Sequence, residues 1–130
     1  MEIKYNPKRD EIALGYIPDW SEEYWAAIFN FEKMTIQQLR ELVELDQIDL
    51  KVKRRAAPTI KEFMIFMEKY PNTTAHGFVI SPRRIDAGIA IRGLEYIGEY
   101  TKEQLKDFVN LCKKDRKLIV EDNKLYCWFY

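Results

Sequence analysis

The chain has 130 residues, of which 47% are hydrophobic and 32% are charged, and its 21 basic side chains balance its 21 acidic ones. This composition excludes an intrinsically disordered chain and suits one domain with a core of its own. No apolar run approaches the roughly 18 residues that a membrane-spanning helix needs. The first residues also lack the basic and apolar regions of a secretory signal, so we expect a cytoplasmic protein without membrane contact.

The charge is unevenly divided along the chain. Residues 1–50 carry 5 basic and 11 acidic side chains, a net charge of −6, whereas residues 51–130 carry 16 basic and 10 acidic ones, a net charge of +6. We interpret this division as two halves that attract each other within one fold; a polyanion-binding half is the alternative. The two cysteines, Cys112 and Cys127, lack a CxxC spacing and are predicted to be buried, reduced thiols, with a disulfide or redox pair as the alternative.

The first thirty residues contain two patterns. Residues 1–18 alternate weakly around a turn-rich group at 6–10, which indicates a short hairpin. Asp19 or Ser21 then suits the N-cap of an aromatic helix that runs to about Asn30. Such an aromatic helix is typically surrounded by other elements.

Three capping boxes mark the starts of further helices, because a Thr hydroxyl and a Gln or Glu three residues later satisfy free N–H groups of the first turn. They begin at Thr35, Thr59 and Thr101. The first helix ends near Asp46, and the second, at 59–70, is apolar around most of its surface, so we expect it to be central. The third has an apolar stripe made of Leu105, Phe108, Val109 and Cys112.

The segment between the first two boxes has two features. Residues 47–52 alternate apolar and polar side chains and predict a short edge strand. Residues 51–55 form the densest basic cluster of the chain, and a second basic cluster lies at 113–117.

A long antiparallel hairpin is predicted for residues 74–97. A tight turn centred on Pro82 and Arg83 pairs His76 with Ile89 and produces one apolar face. After Ile91 the apolar pattern shifts by one residue at Gly93, which indicates a β-bulge.

The other face of this hairpin carries mainly small residues, with Gly77 opposite Gly88. Bare backbone of this kind permits close approach by another object. We expect a helix of the same chain to pack there, and a bound ligand is the alternative.

A second hairpin is predicted for residues 117–130, with Asp122 and Asn123 as a two-residue turn. Its register places Leu125, Cys127 and Phe129 inward. The second face carries Tyr126, Trp128 and Tyr130. We expect either the N-terminal helix, with Trp20 and Trp25, or a second subunit or partner to cover this aromatic face.

These elements predict a single α+β domain spanning residues 1–130. Its antiparallel sheet is built from the hairpins near 74–97 and 117–130, and about four helices pack mostly on one face.

The candidate binding residues fall into two groups. An anionic ligand could be held over the glycines by polar residues of the first hairpin, with a solvated turn and a surface salt bridge as the favoured structural reading. This group comprises His76, Arg83, Arg84, Asp86 and Arg92. The second group is the interaction surface made of Tyr126, Trp128 and Tyr130.

The function favoured by the sequence is a small, non-catalytic binding or protein-interaction module, with a protein partner or a homodimer. The first alternative is a nucleic-acid-binding domain that uses the clusters at 51–55 and 113–117; the mixed charge of the helix at 101–112 counts against it. The second alternative is a small-ligand enzyme around His76 and Asp86. The sequence predicts no catalytic residue, metal site or cofactor, because no phosphate loop, nucleophile motif or ligand spacing is present.

Overall fold

A computed structural model describes residues 3–21, 26–53, 57–112 and 117–129. The helices are α1 (Lys8–Leu14), α2 (Ile36–Glu44), α3 (Ile60–Lys69) and α4 (Lys102–Cys112). The strands are β1 (Ile28–Met34), β2 (Thr74–Ile80), β3 (Gly88–Ile97), β4 (Lys117–Glu121) and β5 (Lys124–Trp128). The five strands form one antiparallel sheet in the order β1-β2-β3-β5-β4. The predicted α+β class with an antiparallel sheet is therefore confirmed.

One face of the sheet forms the core with the helices. Val79 of β2, Leu94 of β3 and Leu125 of β5 are fully buried on this face. They pack in one hydrophobic cluster with Leu39 of α2 and Phe108 of α4, which are also fully buried. Burying these side chains stabilises the layered arrangement of helices on a sheet.

All three helices with predicted capping boxes are present. Thr35 and Thr59 each accept a hydrogen bond from the backbone N–H three residues later, and the reciprocal side-chain bond completes both boxes. Thr101 also accepts from the N–H of Gln104, at 3.1 Å. None of the described helices is long and apolar enough to cross a membrane.

The predicted hairpin at 1–18 is wrong, because residues 8–14 form α1. Pro7 at the N-cap already has helical backbone angles, and Gly15 at φ 85° ends the helix. The buried residues of this helix are an ion pair, Arg9 and Asp10. Asp10 accepts hydrogen bonds from Arg9, Tyr5 and Trp20 at 2.6–2.8 Å. Because polar residues anchor α1, this segment lacks the regular spacing of apolar residues by which a helix is predicted from sequence.

The predicted helix from Asp19 to Asn30 is also wrong at its C-terminal end, where β1 begins at Ile28. Residues 22–25 lie outside the described ranges. β1 pairs along β2, with Ile28 opposite Ile80 and Phe31 opposite Gly77. The β-branched and aromatic residues of β1 suit a paired strand. Pairing with β2 therefore determines the structure of this segment, although its local pattern is helical.

The edge strand predicted for residues 47–52 does not form. The carbonyl groups of Leu50 and Val52 accept hydrogen bonds from the N–H groups of Lys61 and Ile60 instead. The segment thereby satisfies the first turn of α3 rather than pairing with a strand.

The hairpin of β2 and β3 forms, but its predicted turn and register are wrong. Seven residues connect the strands, so Ile80 pairs with Gly88 and Val79 with Ile89. Ser81 starts two consecutive turns, since its carbonyl accepts from Arg84 and the carbonyl of Arg84 accepts from Ala87. Near the turn the register differs from the prediction by three residues, an odd number. β3 still directs Ile89 and Ile91 to the core, so it is β2 that presents the opposite set of side chains, with Val79 in the core cluster and Phe78 on the other face.

This change of register also removes the predicted small-residue face. Gly77 pairs with Ile91, and a Cβ atom on Gly77 would collide with the carbonyl oxygen of Ala90 on the neighbouring strand. The close approach is therefore made by β3 itself, not by a helix or a ligand. Gly88 has φ 147°, and among the described residues no atom lies within 4 Å of a Cβ built on it, so the predicted close packing on Gly88 is not found there.

Two further predictions about the strands are confirmed. The register shifts between Ile91 and Gly93, so Arg92 is the extra residue of a bulge. In the β4–β5 hairpin, Glu121 pairs with Lys124 across the two-residue turn and Leu118 pairs with Cys127, as predicted.

Candidate functional site

The sheet face opposite the helices carries an aromatic and basic cluster. Side chains alternate between the two faces of a strand, so the residues that flank the core positions of β2, β3 and β5 point to this side. The bulge brings both Arg92 and Gly93 to it. We call this surface the open face, and within the described residues its central side chains are His76, Phe78, Arg92, Tyr126 and Trp128.

His76 and Tyr126 stack over a glycine. Their ring centroids are 5.1 Å apart with an interplanar angle of 8°. Gly93 lies between their strands, paired with His76 on one side and with Trp128 on the other. A Cβ on Gly93 would lie 2.8 Å from Nε2 of His76 and would collide with the backbone of Cys127. The two rings thus fill the space that the glycine leaves, as aromatic side chains do over glycines in other sheets.

Burial determines the charge of His76. It lowers the pKa of the imidazole from 6.5 to about 4; Glu95 partly opposes this shift and Arg92 adds to it. His76 is therefore neutral at physiological pH. Its Nε2 atom is buried and has no hydrogen-bond partner among the described residues.

Arg92 lies between two aromatic rings. The guanidinium carbon is 4.7 Å from the ring centroid of Trp128 and 5.8 Å from that of Phe78. These distances are within the range of cation–π attraction. Trp128 is half-buried and Phe78 is buried, so this part of the open face is aromatic and partly desolvated.

Charged side chains surround the aromatic centre. Glu95 is 3.1 Å from the ammonium group of Lys33 on β1 and 4.0 Å from that of Lys124 on β5. Lys124 also lies over the ring of Tyr126, at 5.6 Å from its centroid. Exposed ion pairs of this kind add little stability but fix the sign of the charge around a surface.

A cavity of about 280 Å³ opens on this face. Its walls come from four strands, and they include His76, Arg92, Glu95, Tyr126 and Trp128. The β1 side is formed by residues 30–33, where Lys33 has φ 55° and the register with β2 shifts.

The remaining candidates of the ligand group lie elsewhere. Arg84 and Asp86 form a bidentate ion pair in the β2–β3 connection, with both N–O distances 2.8 Å. Arg84 also donates to the carbonyl of Ala26, and Arg83 donates to that of Trp20. These arginines tie the connection to Trp20 and Ala26, so they do not form the solvated turn that the sequence favoured, although Asp86 does form a surface ion pair.

His76 and Asp86 therefore do not share a site. His76 lines the cavity on the open face, whereas Asp86 lines a second cavity of about 440 Å³ at the end of β2 and β3. Among the described residues, no group of three or more His, Cys, Asp or Glu side chains could hold a metal ion.

The predicted interaction surface is partly described. Tyr126 and Trp128 lie on the open face as predicted, and Tyr130 lies outside the described residues. Trp20 does not cover them, because it packs edge-on against Phe29, 5.3 Å away on the helical side of the sheet. Trp25 also lies outside the described ranges.

The basic clusters at 51–55 and 113–117 are described only in part. Lys51, Lys53 and Lys117 are exposed, and the rest of each cluster, apart from Val52, lies outside the described residues. Of the described members, Lys117 pairs with Trp128 at the margin of the open face.

Sequence reasoning missed three contributors to the open face, Lys33, Gly93 and Glu95. Lys33 was missed because β1 was not predicted: its first residues were assigned to the helix ending near Asn30, and the rest were given no strand. The bulge at Gly93 was predicted, and alternation from it would place Glu95 on the same face. The β3–β5 pairing, which sets Glu95 opposite Tyr126, leaves no local signal in the sequence.

No protein-family model, curated protein or solved structure matches this chain. Its function must therefore be argued from the geometry of the open face.

Proposed function

We propose that this chain is a non-catalytic protein-interaction module whose partner binds to the open face. The observation that carries the proposal is the arrangement of Arg92, Tyr126 and Trp128 at the centre with charged Lys33, Glu95 and Lys124 around them. Trp, Tyr and Arg are the residue types that contribute most to binding at protein interfaces, and such interfaces commonly have a charged or polar rim.

The cavity supports a protein partner rather than a small-molecule substrate. Its walls are the side chains of four strands of one sheet face, so it is a shallow recess in a broad surface and not an enclosed site. It is open to solvent along the sheet, so a side chain of a partner could enter while the surrounding chain contacts the charged rim.

A non-catalytic role agrees with the state of His76. A general base works best when its pKa lies near the working pH, and the pKa of His76 is about 4. The described groups that act on His76 include Tyr126, Arg92 and Glu95. The Glu95 carboxylate is in ion pairs with Lys33 and Lys124, and none of the three is an activated nucleophile.

We also propose a cytoplasmic location. Cys112 and Cys127 are both buried, free thiols, and Cys112 hydrogen-bonds to Cys127. This contact and burial raise the pKa of Cys112 well above its usual value. Adjacent thiols that stay unpaired suit a reducing compartment.

The test is partner capture with matched variants. Wild-type protein, Trp128→Ala and Ile65→Ala would each be immobilised; Ile65 is 60% exposed on α3, away from the open face. We expect a partner that binds wild type and Ile65→Ala. With that partner purified, its affinity for Trp128→Ala should fall by at least about tenfold, as at an interface hot spot.

Two results would contradict the proposal. One is a captured partner whose affinity does not distinguish the two variants, because both substitutions weaken binding equally or neither weakens it. The other is micromolar, salt-sensitive binding of single-stranded DNA or RNA that Trp128→Ala abolishes, which would make the open face a base-stacking surface.

A further inference from the structure

The two edges of the sheet differ in regularity. β1 forms one edge, and its pairing with β2 is interrupted between Phe31 and Met34, where Lys33 has φ 55°. Such irregularity is a common protection against edge-to-edge association. β4 forms the other edge, and its five residues pair with β5 without any register shift.

The β4 edge exposes apolar side chains next to backbone groups with which no described strand pairs. Leu118 and Val120 are 40% and 44% exposed. Because Glu121 and Lys124 flank a two-residue turn, the backbone groups of residues 117, 119 and 121 point to β5. Those of Leu118 and Val120 consequently point outward, where a further strand could pair with them.

The sequence of β4 is complementary to itself in the antiparallel direction. A two-fold axis through Ile119 sets Lys117 opposite the partner's Glu121, and Leu118 opposite the partner's Val120. This register joins the outward backbone groups of Leu118 and the partner's Val120 in a hydrogen-bonded pair, as antiparallel geometry requires. Moving the register by two residues removes both charge pairs.

We propose that a second copy of this chain pairs with β4 in this register and joins two five-stranded sheets into one sheet of ten strands. The contact is isologous, so the same five residues serve on both sides. Two Lys–Glu pairs at its ends and two Leu–Val pairs within it set the register. Lys117, Ile119 and Glu121 share the side of Tyr126 and Trp128, so the two open faces become continuous. This proposal is independent of the partner proposed for the open face.

The test uses charge reversal and sedimentation measured over a range of concentrations. Wild type should show a monomer–dimer equilibrium. Lys117→Glu should weaken dimerisation by about tenfold or more, because it sets like charges opposite each other at both ends. The double variant Lys117→Glu/Glu121→Lys restores both pairs and should restore the dimer.

Two controls accompany this test: a second substitution at the β4 edge, and a measurement of whether each variant is folded. Val120→Lys, which adds charge at an exposed edge position, should also yield a monomer, and the urea midpoint of each monomeric variant identifies any that is unfolded. The proposal is overturned if wild type stays monomeric up to about 1 mM. It is also overturned if the double variant is as weak as Lys117→Glu, or if Trp128→Ala abolishes a dimer that Lys117→Glu leaves intact.

Discussion

At the scale of single residues, the environment of His76 makes the stability of the protein depend on pH. Its pKa is 6.5 when unperturbed and about 4 in the folded chain, because burial disfavours the charged imidazole. Between these values the unfolded chain binds the proton and the folded chain does not. Protonation of His76 therefore does not reduce the free energy of unfolding above pH 6.5. As the pH drops to 4, the free energy of unfolding falls by up to about 3 kcal/mol.

The measurement is urea unfolding of wild type and His76→Phe between pH 4 and 7. Phe keeps a ring stacked on Tyr126 over Gly93 but has no proton to bind. We expect the stability difference between the two proteins to change across this window, in favour of His76→Phe at low pH. Parallel curves for the two proteins would show that His76 is not the group responsible.

At the scale of secondary structure, two glutamines of the helices allow a matched comparison, because they differ in whether the side-chain amide is hydrogen-bonded. Gln38 of α2 accepts from the N–H of Thr35 at 2.8 Å and donates to the carbonyl of Ile12 at 3.1 Å. Gln104 of α4 is buried, and its Nε2 atom has no hydrogen-bond partner among the described residues.

Replacing each glutamine by Leu should therefore have different effects. Gln38→Leu removes three hydrogen bonds, those from the N–H and the hydroxyl of Thr35 and the one to the carbonyl of Ile12. It should lower the free energy of unfolding by about 1–3 kcal/mol. Gln104→Leu removes an amide whose Nε2 atom has no partner among the described residues, so we expect a change within about 1 kcal/mol, or a gain. Chemical denaturation of both variants decides the point, and an equal loss in the two would contradict it.

The elements that were predicted correctly from the sequence are those specified by a short local motif. The boxes at Thr35 and Thr59 and the two-residue turn at Asp122 specify their structures within a few residues, so their boundaries and register were correct. The predicted β2–β3 register was wrong because it depends on the seven-residue connection. Its turns are set by hydrogen bonds that Ser81 accepts from Arg83 and Arg84 and that the carbonyl of Arg84 accepts from Ala87. β1 failed because its strand state depends on pairing with β2, some fifty residues away in sequence.

The candidate site was predicted in parts rather than as a whole. Alternation along β5 correctly placed Tyr126 and Trp128 on one face. His76 and Arg92 were named as candidates, but the sequence assigned them to the wrong neighbours. Their juxtaposition with the β5 aromatics requires the β3–β5 pairing and the bulge together, and only the bulge has a sequence signal.

At the scale of the whole molecule, direct ion pairs do not follow the division of charge into acidic and basic halves. Two ion pairs join the halves among the described residues, Lys33 with Glu95 and Arg40 with Glu68. In both, the basic member comes from the acidic half. Any attraction between the halves must therefore act at longer range, where salt screens it within about 10 Å.

One face of the sheet lies in the core and the other is the open face. Two consecutive residues test this difference: Trp128 at the end of β5, and Phe129 directly after it. Phe129 is 3% exposed and packs edge-on against Phe63 of α3, with centroids 5.9 Å apart. Trp128, one residue earlier, is half-buried on the open face beside Arg92. Truncating a core aromatic removes buried apolar area and leaves a cavity.

Phe129→Ala should lower the free energy of unfolding by about 3–5 kcal/mol. Trp128→Ala should cost about 1–2 kcal/mol, because it removes a cation–π contact and half-buried area without opening a cavity in the core. Urea denaturation of both variants at neutral pH gives the comparison, with the m-value as a check that each still unfolds from a compact state. If Trp128→Ala cost as much as Phe129→Ala, the face that carries Trp128 would be a second core, and the interaction surface proposed here would not exist.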